Sequence, residues 1–360
     1  MAGTFVGLPG SAEGSELPSA MSALMTPGPT VPGHVLEVHD AVVAGSLETV
    51  AASVAEAGDL RQAMRVAASA LNAAGIESPR ADAELLAGHL LGEDRGRVAV
   101  LALMGAPVPE GYGELVARRA ARLPLQHLTG TAPFRRLELA VGPGVFVPRP
   151  ETELVAQAAI DEASALLSSG QGALVVDLCT GSGAIAAAVA SEAAGATVHA
   201  VELSERAHAY AARNLSGTGV ALHLGDALTL LEELGASVDV LVSNPPYVPN
   251  PQVPVDPEVS LHDPELALYG GGADGMDFPF ALIARAQFLL KPGGLLVMEH
   301  DESQGPAMLA ALGHVEPAAP AAGEPARTSW TDAVVHQDLN GRDRFTTARL
   351  ARPDTFTVGE

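Results

Sequence analysis

Val175-Val176-Asp177-Leu178-Cys179-Thr180-Gly181-Ser182-Gly183-Ala184-Ile185 reads as a buried strand, a turn of small residues and the first turn of a helix. Gly181 and Gly183 let the backbone come close to a bound molecule, and the helix N-terminus that follows favours negative charge. Alone, the glycines are weak evidence, because many strand-to-helix crossovers carry them. Ala186 stands at the last position of a G-x-G-x-x-G pattern and no Gly-Lys-Ser/Thr follows. The turn is therefore neither a dinucleotide fingerprint nor a P-loop.

Downstream, strands and helices alternate: strand 197–202, helix 204–214, strand 220–224, a helix near 228–234, strand 238–243, helix 278–290, strand 294–299 and a helix near 303–312. With strand 173–178 and helix 183–194, this alternation predicts an α/β fold with a mostly parallel, doubly wound sheet. Two last strands near 331–337 and 344–350, joined by Asp338-Leu339-Asn340-Gly341, predict a terminal antiparallel hairpin.

Upstream, residues 1–36 are rich in Gly, Pro, Ser and Ala and show no apolar period. They read as a disordered leader, within which Met21 and Met25 are alternative starts. Residues 37–128 are helical in pattern. Leu60, Met64, Val66, Ala67 and Leu71 fall near one stripe, and Ser78-Pro79 offers a capping residue with proline at the first helical position. This segment is expected to form a small helical bundle. Leu137-Glu138-Leu139-Ala140-Val141 alternates as a half-buried strand should, Gly142-Pro143-Gly144 turns the chain, and Val145-Phe146-Val147 follows. Residues 129–148 therefore read as a hairpin linker. Glu151-Thr152-Glu153 opens a helix and a second domain over 149–352, followed by a tail at 353–360.

Composition sets outer bounds. A chain of 360 residues, nearly half of them apolar, can bury a sizeable core in two domains. No apolar run approaches the roughly 20 residues that span a bilayer, and the N-terminus has neither the basic nor the apolar region of a secretory signal. The single Cys179 excludes an internal disulfide framework and fits a reducing cytoplasm. The formal net charge is −23, with Lys291 the one lysine, which argues against nucleic acid as direct substrate. Arg118, Arg119 and Arg122 sit at helical spacing and read as a solvated face. Among the eleven histidines no pair has metal-site spacing; His89, His127, His262 and His300 read as ordinary surface or core residues, and no metal is expected.

Three further strand ends share the sheet edge where ligands bind in this architecture. Glu202 closes one strand, where a carboxylate can hold a ribose diol; singly, it could equally cap the next helix. Asp226, in Gly225-Asp226-Ala227, could accept from an adenine amino group or serve only as a turn aspartate. Ser243-Asn244-Pro245-Pro246-Tyr247 closes the next strand. Asn244 offers a carbonyl and an NH₂ group, the prolines leave their carbonyls free, and Tyr247 supplies an aromatic wall. Such a pocket can hold a flat, neutral NH₂ group and suits methylation of an amide or an exocyclic amine. By itself the same stretch could be a Pro-rich turn; the convergence of strand ends is more specific than any member.

From about Leu60 to Leu350 these residues resemble class I S-adenosylmethionine-dependent methyltransferases, and among them the protein-glutamine methyltransferases of the PrmC/HemK type. The resemblance is carried by Ser78 to Leu86, Leu123-Pro124-Leu125-Gln126-His127-Leu128-Thr129-Gly130, Val147-Pro148-Arg149-Pro150-Glu151-Thr152-Glu153, Asp177 to Gly183, Glu202 and Ser243 to Tyr247. Glu265-Leu266-Ala267-Leu268, Gly270 to Gly275 and Asn340-Gly341-Arg342-Asp343-Arg344 complete it. It implies a Rossmann-like class I methyltransferase sheet preceded by a substrate-recognition bundle. It also implies S-adenosyl-L-methionine as cofactor, held by Cys179, Thr180, Gly181, Ser182, Gly183, Glu202, Ala227 and Asn244, with Phe146 and Pro148-Arg149-Pro150 on the methionyl side. Asn244, as the catalytic residue, would bind the target amide with Pro245, Pro246 and Tyr247. The implied partners are peptide-chain release factors, methylated in the cytoplasm on the glutamine of a Gly-Gly-Gln loop.

The chain departs from the family's pattern at three places. Cys179 replaces a usual glycine, with little effect expected from so small a side chain. Ala227 replaces a frequent aromatic, removing a stacking partner for adenine. Phe134-Arg135-Arg136 stands where two adjacent aromatics are frequent. Three rival readings are a ribosomal-protein glutamine methyltransferase, an adenine-N6 methyltransferase and a non-catalytic module that has kept the fold. The Pro-Arg-Pro-Glu-Thr-Glu segment with the bundle, the acidic charge, and the intact Asn244, Glu202 and Gly181/Gly183 argue against them in turn.

Overall fold

Helices Leu36–Ala55, Leu60–Ala73, Pro79–Leu91, Arg95–Leu103, Tyr112–Ala120 and Leu125–Thr129 form the N-terminal bundle. The computed structural model of the chain describes residues 36–250, 252–313 and 330–352. The expected leader, apart from Leu36, and the expected tail at 353–360 lie outside the described residues. The bundle closes over Leu60, Leu71, Leu86, Val98, Tyr112 and Val116, all fully buried. Buried Tyr112 keeps its hydroxyl satisfied by donating to the Ala83 carbonyl at 2.9 Å. Asp59 and Asp94 cap their helices by accepting from the backbone of Gln62 and Arg97. Ser78 makes no cap hydrogen bond, contrary to expectation; that helix start rests on Pro79 instead.

The hairpin forms one step earlier in the chain than the sequence suggested. Its strands are β1 (Thr131–Phe134) and β2 (Leu137–Ala140), while 145–147 is not a strand. The turn therefore falls at Arg135-Arg136, and Arg135 takes a positive φ of 53°. Phe134 is fully buried, and Arg135 replaces aromatic packing with polar anchorage. Its guanidinium donates to both Glu192 oxygens at 2.6 and 2.8 Å, to Gln157 and to the Glu153 carbonyl. Gly142-Pro143-Gly144 bends the chain towards the catalytic half.

There β3 (Leu174–Leu178), β4 (Thr197–Glu202), β5 (Ala221–Leu224), β6 (Val238–Ser243) and β7 (Leu290–Glu299) pair in parallel. With β8 (Trp330–Gln337) and the antiparallel β9 (Asp343–Leu350) the order is β5-β4-β3-β6-β7-β9-β8. The expected doubly wound sheet and terminal hairpin are both present. Strands buried on two faces need apolar residues at every position, which β6 supplies with only Asp239 and Ser243 as interruptions. Helices Thr152–Ser168 and Ala184–Glu192 cover one face, and Asp277–Leu289 and Gly305–Gly313 the other. The helix expected near 228–234 is reduced to a 3₁₀ turn, Glu232–Leu234.

Arg119 and Arg122 do not form a solvated face. Arg119 is buried and donates to Asp82 at 2.7 Å and to Glu258 at 2.6 Å; Arg122 reaches Glu258 at 2.5 Å. Helical spacing exposes a face only until another element covers it, and here the segment Pro257–His262 does so. Despite burial, hydrogen bonds with Asp256 and then with the two guanidiniums hold the Glu258 carboxyl down to about 2. Replacing Arg119 by Ala leaves Asp82 and Glu258 partly unpaired. It should lower unfolding free energy by about 3–5 kcal/mol in urea titrations; a loss under about 1 kcal/mol would show that solvent reaches the cluster.

Candidate active site

Four strand ends and two loops enclose a cavity of about 240 Å³ at the carboxyl edge of the sheet. Cys179, Thr180, Gly181 and Ser182 line it from the turn after β3, Glu202 from β4, Asp226 and Ala227 after β5, and Asn244, Pro246 and Tyr247 after β6. Phe146, Pro148, Arg149 and Thr152 close it from the linker side. Of the residues expected here, Pro150, Gly183 and Pro245 do not line the cavity. Gly183 instead accommodates a φ of 82° at the helix start, where a Cβ would press on Leu215 at 3.0 Å.

The first turn is held from beneath by Asp177, which is fully buried. Its Oδ2 accepts from Thr180 Oγ1 at 2.5 Å and from the Ala186 amide at 3.1 Å. Burial pushes its carboxyl up to about 7, against the pull of those two bonds. Cys179 adopts a φ of 63°, in the region natural to glycine. The departure at this position thus carries a backbone cost of about 1–2 kcal/mol that the side chain's size did not suggest. Burial also pushes its thiol well up, as expected of an inert, small apolar residue.

Glu202 combines both readings considered for it. Oε2 accepts from the Gly181 amide and Oε1 from the Ser204 amide, each at 2.8 Å. It therefore ties the glycine turn to the next helix, and it also lines the cavity. Burial raises its carboxyl above the usual range, opposed by the backbone bonds from Ser204 and Gly181. Asp226 accepts from the Leu228 amide through Oδ1 at 2.9 Å, while its buried Oδ2 has no partner among the described residues. An orphaned acceptor beside Ala227 in the cavity wall fits a ligand amino group, and an acidic Glu202 fits a diol. The residues present therefore fit an adenosine-bearing group.

Around Asn244 the backbone is fixed by close packing rather than by side chains. A Cβ on Gly270 or Gly275 would collide with the Pro246 and Tyr247 backbone, so glycine is required at both. Gln304, 5% exposed, adds a bracket: its Nε2 donates to the carbonyls of Tyr247 at 2.8 Å and Asp274 at 2.7 Å. Asn244 Nδ2 donates to Thr152 Oγ1 at 3.4 Å, and the Tyr247 hydroxyl donates to Glu299 Oε1 at 3.4 Å. Sequence reasoning placed no role on Gln304, Glu299 or Thr152. Glu299 closes β7 as Glu202 closes β4, and the same strand-end signal would have found it.

Residues 62–130 match the model of the PrmC N-terminal domain, and residues 149–256 that of the methyltransferase small domain. The release factor glutamine methyltransferase of Streptomyces coelicolor is 50% identical over 281 residues, 78% of this chain and 94% of that protein. This chain belongs to the release factor glutamine methyltransferase family. A second member, from Mycolicibacterium smegmatis, is 45% identical over 299 residues, covering 81% of this chain and 99% of its own. The 4-amino-L-phenylalanine/4-methylamino-L-phenylalanine methyltransferase of Streptomyces pristinaespiralis is 40% identical over 253 residues, 69% of this chain and 86% of that protein. The chain is an S-adenosylmethionine-dependent methyltransferase.

Two substitutions test this geometry. Glu202→Ala should weaken S-adenosylmethionine binding tenfold or more, since hydrogen bonds to a charged acceptor contribute about 1.5–3 kcal/mol each. Calorimetry giving unchanged affinity would remove Glu202 from the cofactor site. Asp177 keeps its proton in the folded state up to about 7, against 3.8 as its ordinary value. Its contribution to stability is thus full at low pH and is lost as pH rises across that window. Asp177→Asn carries no such proton, so its stability relative to wild type should rise between about pH 4 and pH 8 in urea titrations. An unchanged difference would mean that Asp177 titrates normally.

Proposed function

We infer that this enzyme methylates the side-chain amide nitrogen of the glutamine in the Gly-Gly-Gln motif of peptide-chain release factors, using S-adenosyl-L-methionine. The observation that carries this is Asn244-Pro245-Pro246-Tyr247, of which Asn244, Pro246 and Tyr247 line the cavity, in a chain of the release factor glutamine methyltransferase family. In this reading Cys179 to Gly183, Glu202, Asp226 and Ala227 hold the cofactor, and the catalytic domain spans about 149–352. The helical domain over 37–128 grips the protein substrate in the cytoplasm.

When bound, the cofactor supplies an electrophilic methyl group on a positively charged sulfur. An amide nitrogen is a weak nucleophile, because its lone pair is delocalised into the carbonyl. Among the described residues, no His or Lys lines the cavity to act as a base. The chain's contribution is positioning: Asn244 Oδ1 and the Pro245 carbonyl accept the two amide hydrogens and draw electron density onto the nitrogen. Tyr247 walls one face of the amide, and the apolar Phe146, Val259 and Leu266 exclude water. The amide proton leaves after transfer, when the nitrogen has become acidic.

The test uses labelled S-adenosylmethionine with a purified release factor and, in parallel, 4-amino-L-phenylalanine, followed by peptide mass spectrometry. Label on the Gly-Gly-Gln glutamine is expected. Label only on the amino acid would overturn the substrate. Asn244→Ala should lower the rate roughly 10²-fold or more while cofactor affinity holds, as for loss of one oriented transition-state partner; full activity would remove Asn244 from the reaction.

A further inference from the structure

A groove of about 440 Å³ lies along the seam between the helical bundle and the catalytic domain, next to the active-site cavity. Gly144 and Pro264 belong to the walls of both. The bundle contributes Arg118, from helix Tyr112–Ala120, and His127, from helix Leu125–Thr129. Arg206, from helix Glu205–Asn214, faces the groove from the catalytic domain, and His262 closes the segment Pro257–His262. The stem of Arg206 lies against Gly144, where a Cβ would stand only 2.9 Å from Arg206 Cδ.

The charge of this groove is opposite to that of the chain. Acidic residues outnumber basic ones 43 to 20, yet among the described residues no Asp or Glu lines it. Nearby Arg119, Arg122 and Arg149 are each bound to a carboxylate. Arg118 and Arg206 are exposed and have neither an ion pair nor a hydrogen bond among the described residues. Each guanidinium therefore keeps five donors unused. Burial pushes both imidazoles below their ordinary value, so the positive field comes from the arginines. Neither Nε2 has a partner among the described residues.

Continuity with the cavity identifies the occupant. A small free amide would fill the first cavity and leave the groove untouched. A polypeptide whose glutamine sits at Asn244 carries its neighbouring residues past Gly144 and Pro264. We propose that the groove is a second subsite for the protein substrate, in which Arg118 and Arg206 donate to the carboxylate of an acidic side chain close in sequence to the target glutamine. The inference rests on the reading of the first cavity as the glutamine site. A bundle residue and a catalytic-domain residue then hold one substrate carboxylate between them, which fixes the register of the target loop.

The experiment measures methylation of a purified release factor by wild type, Arg118→Glu and Arg206→Glu, with cofactor affinity by calorimetry and melting temperature in parallel. Both positions are exposed, so melting temperature should hold. Each reversal should raise KM for the release factor roughly tenfold or more, with kcat and cofactor Kd changed less than about twofold, because it sets like charges together. Acidic residues within roughly ten positions of the glutamine, the reach of an extended chain at about 3.3–3.6 Å per residue, are then changed singly to Arg in the release factor. One such substrate should be poor for wild type and regain most of its kcat/KM with Arg118→Glu or Arg206→Glu. The inference is overturned if both reversals keep the wild-type KM, if kcat falls while KM holds, or if no acidic position shows this reciprocal rescue. Competition by a polynucleotide against wild type but not against the reversals would assign the groove to nucleic acid and equally overturn it. If wild type leaves the release factor unlabelled, the proposed function fails first and is seen to fail separately.

Discussion

The close approach of two backbones, Pro246-Tyr247 and Gly270 to Gly275, is the constraint on which the site depends. No side chain fits between them at Gly270 or Gly275, and the Gln304 amide then bridges both loops. Prolines remove the torsional freedom that would let Asn244 drift, and β6 anchors the segment in the sheet by Ser243, whose hydroxyl donates to the Leu178 carbonyl at 2.7 Å. A weak nucleophile such as an amide gains little from general bases and much from fixed geometry. The rigidity of this turn is therefore the chemistry's main requirement, met by packing rather than by ionisable groups at the reacting atom.

The charges are arranged around that turn. Several arginines of this acidic chain join parts of the fold. Arg119 and Arg122 of the bundle hold Glu258, and Arg149 of the linker holds Asp263 at 2.9 Å. Both acids lie in the stretch between Tyr247 and Gly270 that includes the cavity-lining Val259 and Leu266. The bundle thus bears directly on the wall of the pocket, which gives a physical route by which a protein gripped by the bundle could be registered at Asn244.

Much of this was legible in the chain. Alternating apolar runs gave the strands, and carboxyl-edge logic brought Glu202, Asp226 and Asn244 to one cavity before any coordinates. What escaped was set by long-range packing. The turn at Arg135-Arg136 depends on Glu192 and Glu153, which lie 57 and 18 residues away. Arg119 looked solvent-facing because its partner Glu258 is 139 residues distant. Thr152 read as an ordinary helix start, since nothing local reveals that Asn244, 92 residues away, donates to its hydroxyl. Cys179 looked innocuous because side-chain size, unlike a φ of 63°, is visible in sequence.

The central claim is that Asn244 and Pro245 accept the two hydrogens of a glutamine side-chain amide. A crystal structure of the enzyme with S-adenosylhomocysteine and a peptide carrying Gly-Gly-Gln tests it most directly. The account predicts the glutamine nitrogen within hydrogen-bond distance of both Asn244 Oδ1 and the Pro245 carbonyl, with the Tyr247 ring against the amide plane. A glutamine bound elsewhere, or an Asn244 turned with Nδ2 towards the target nitrogen, would contradict it.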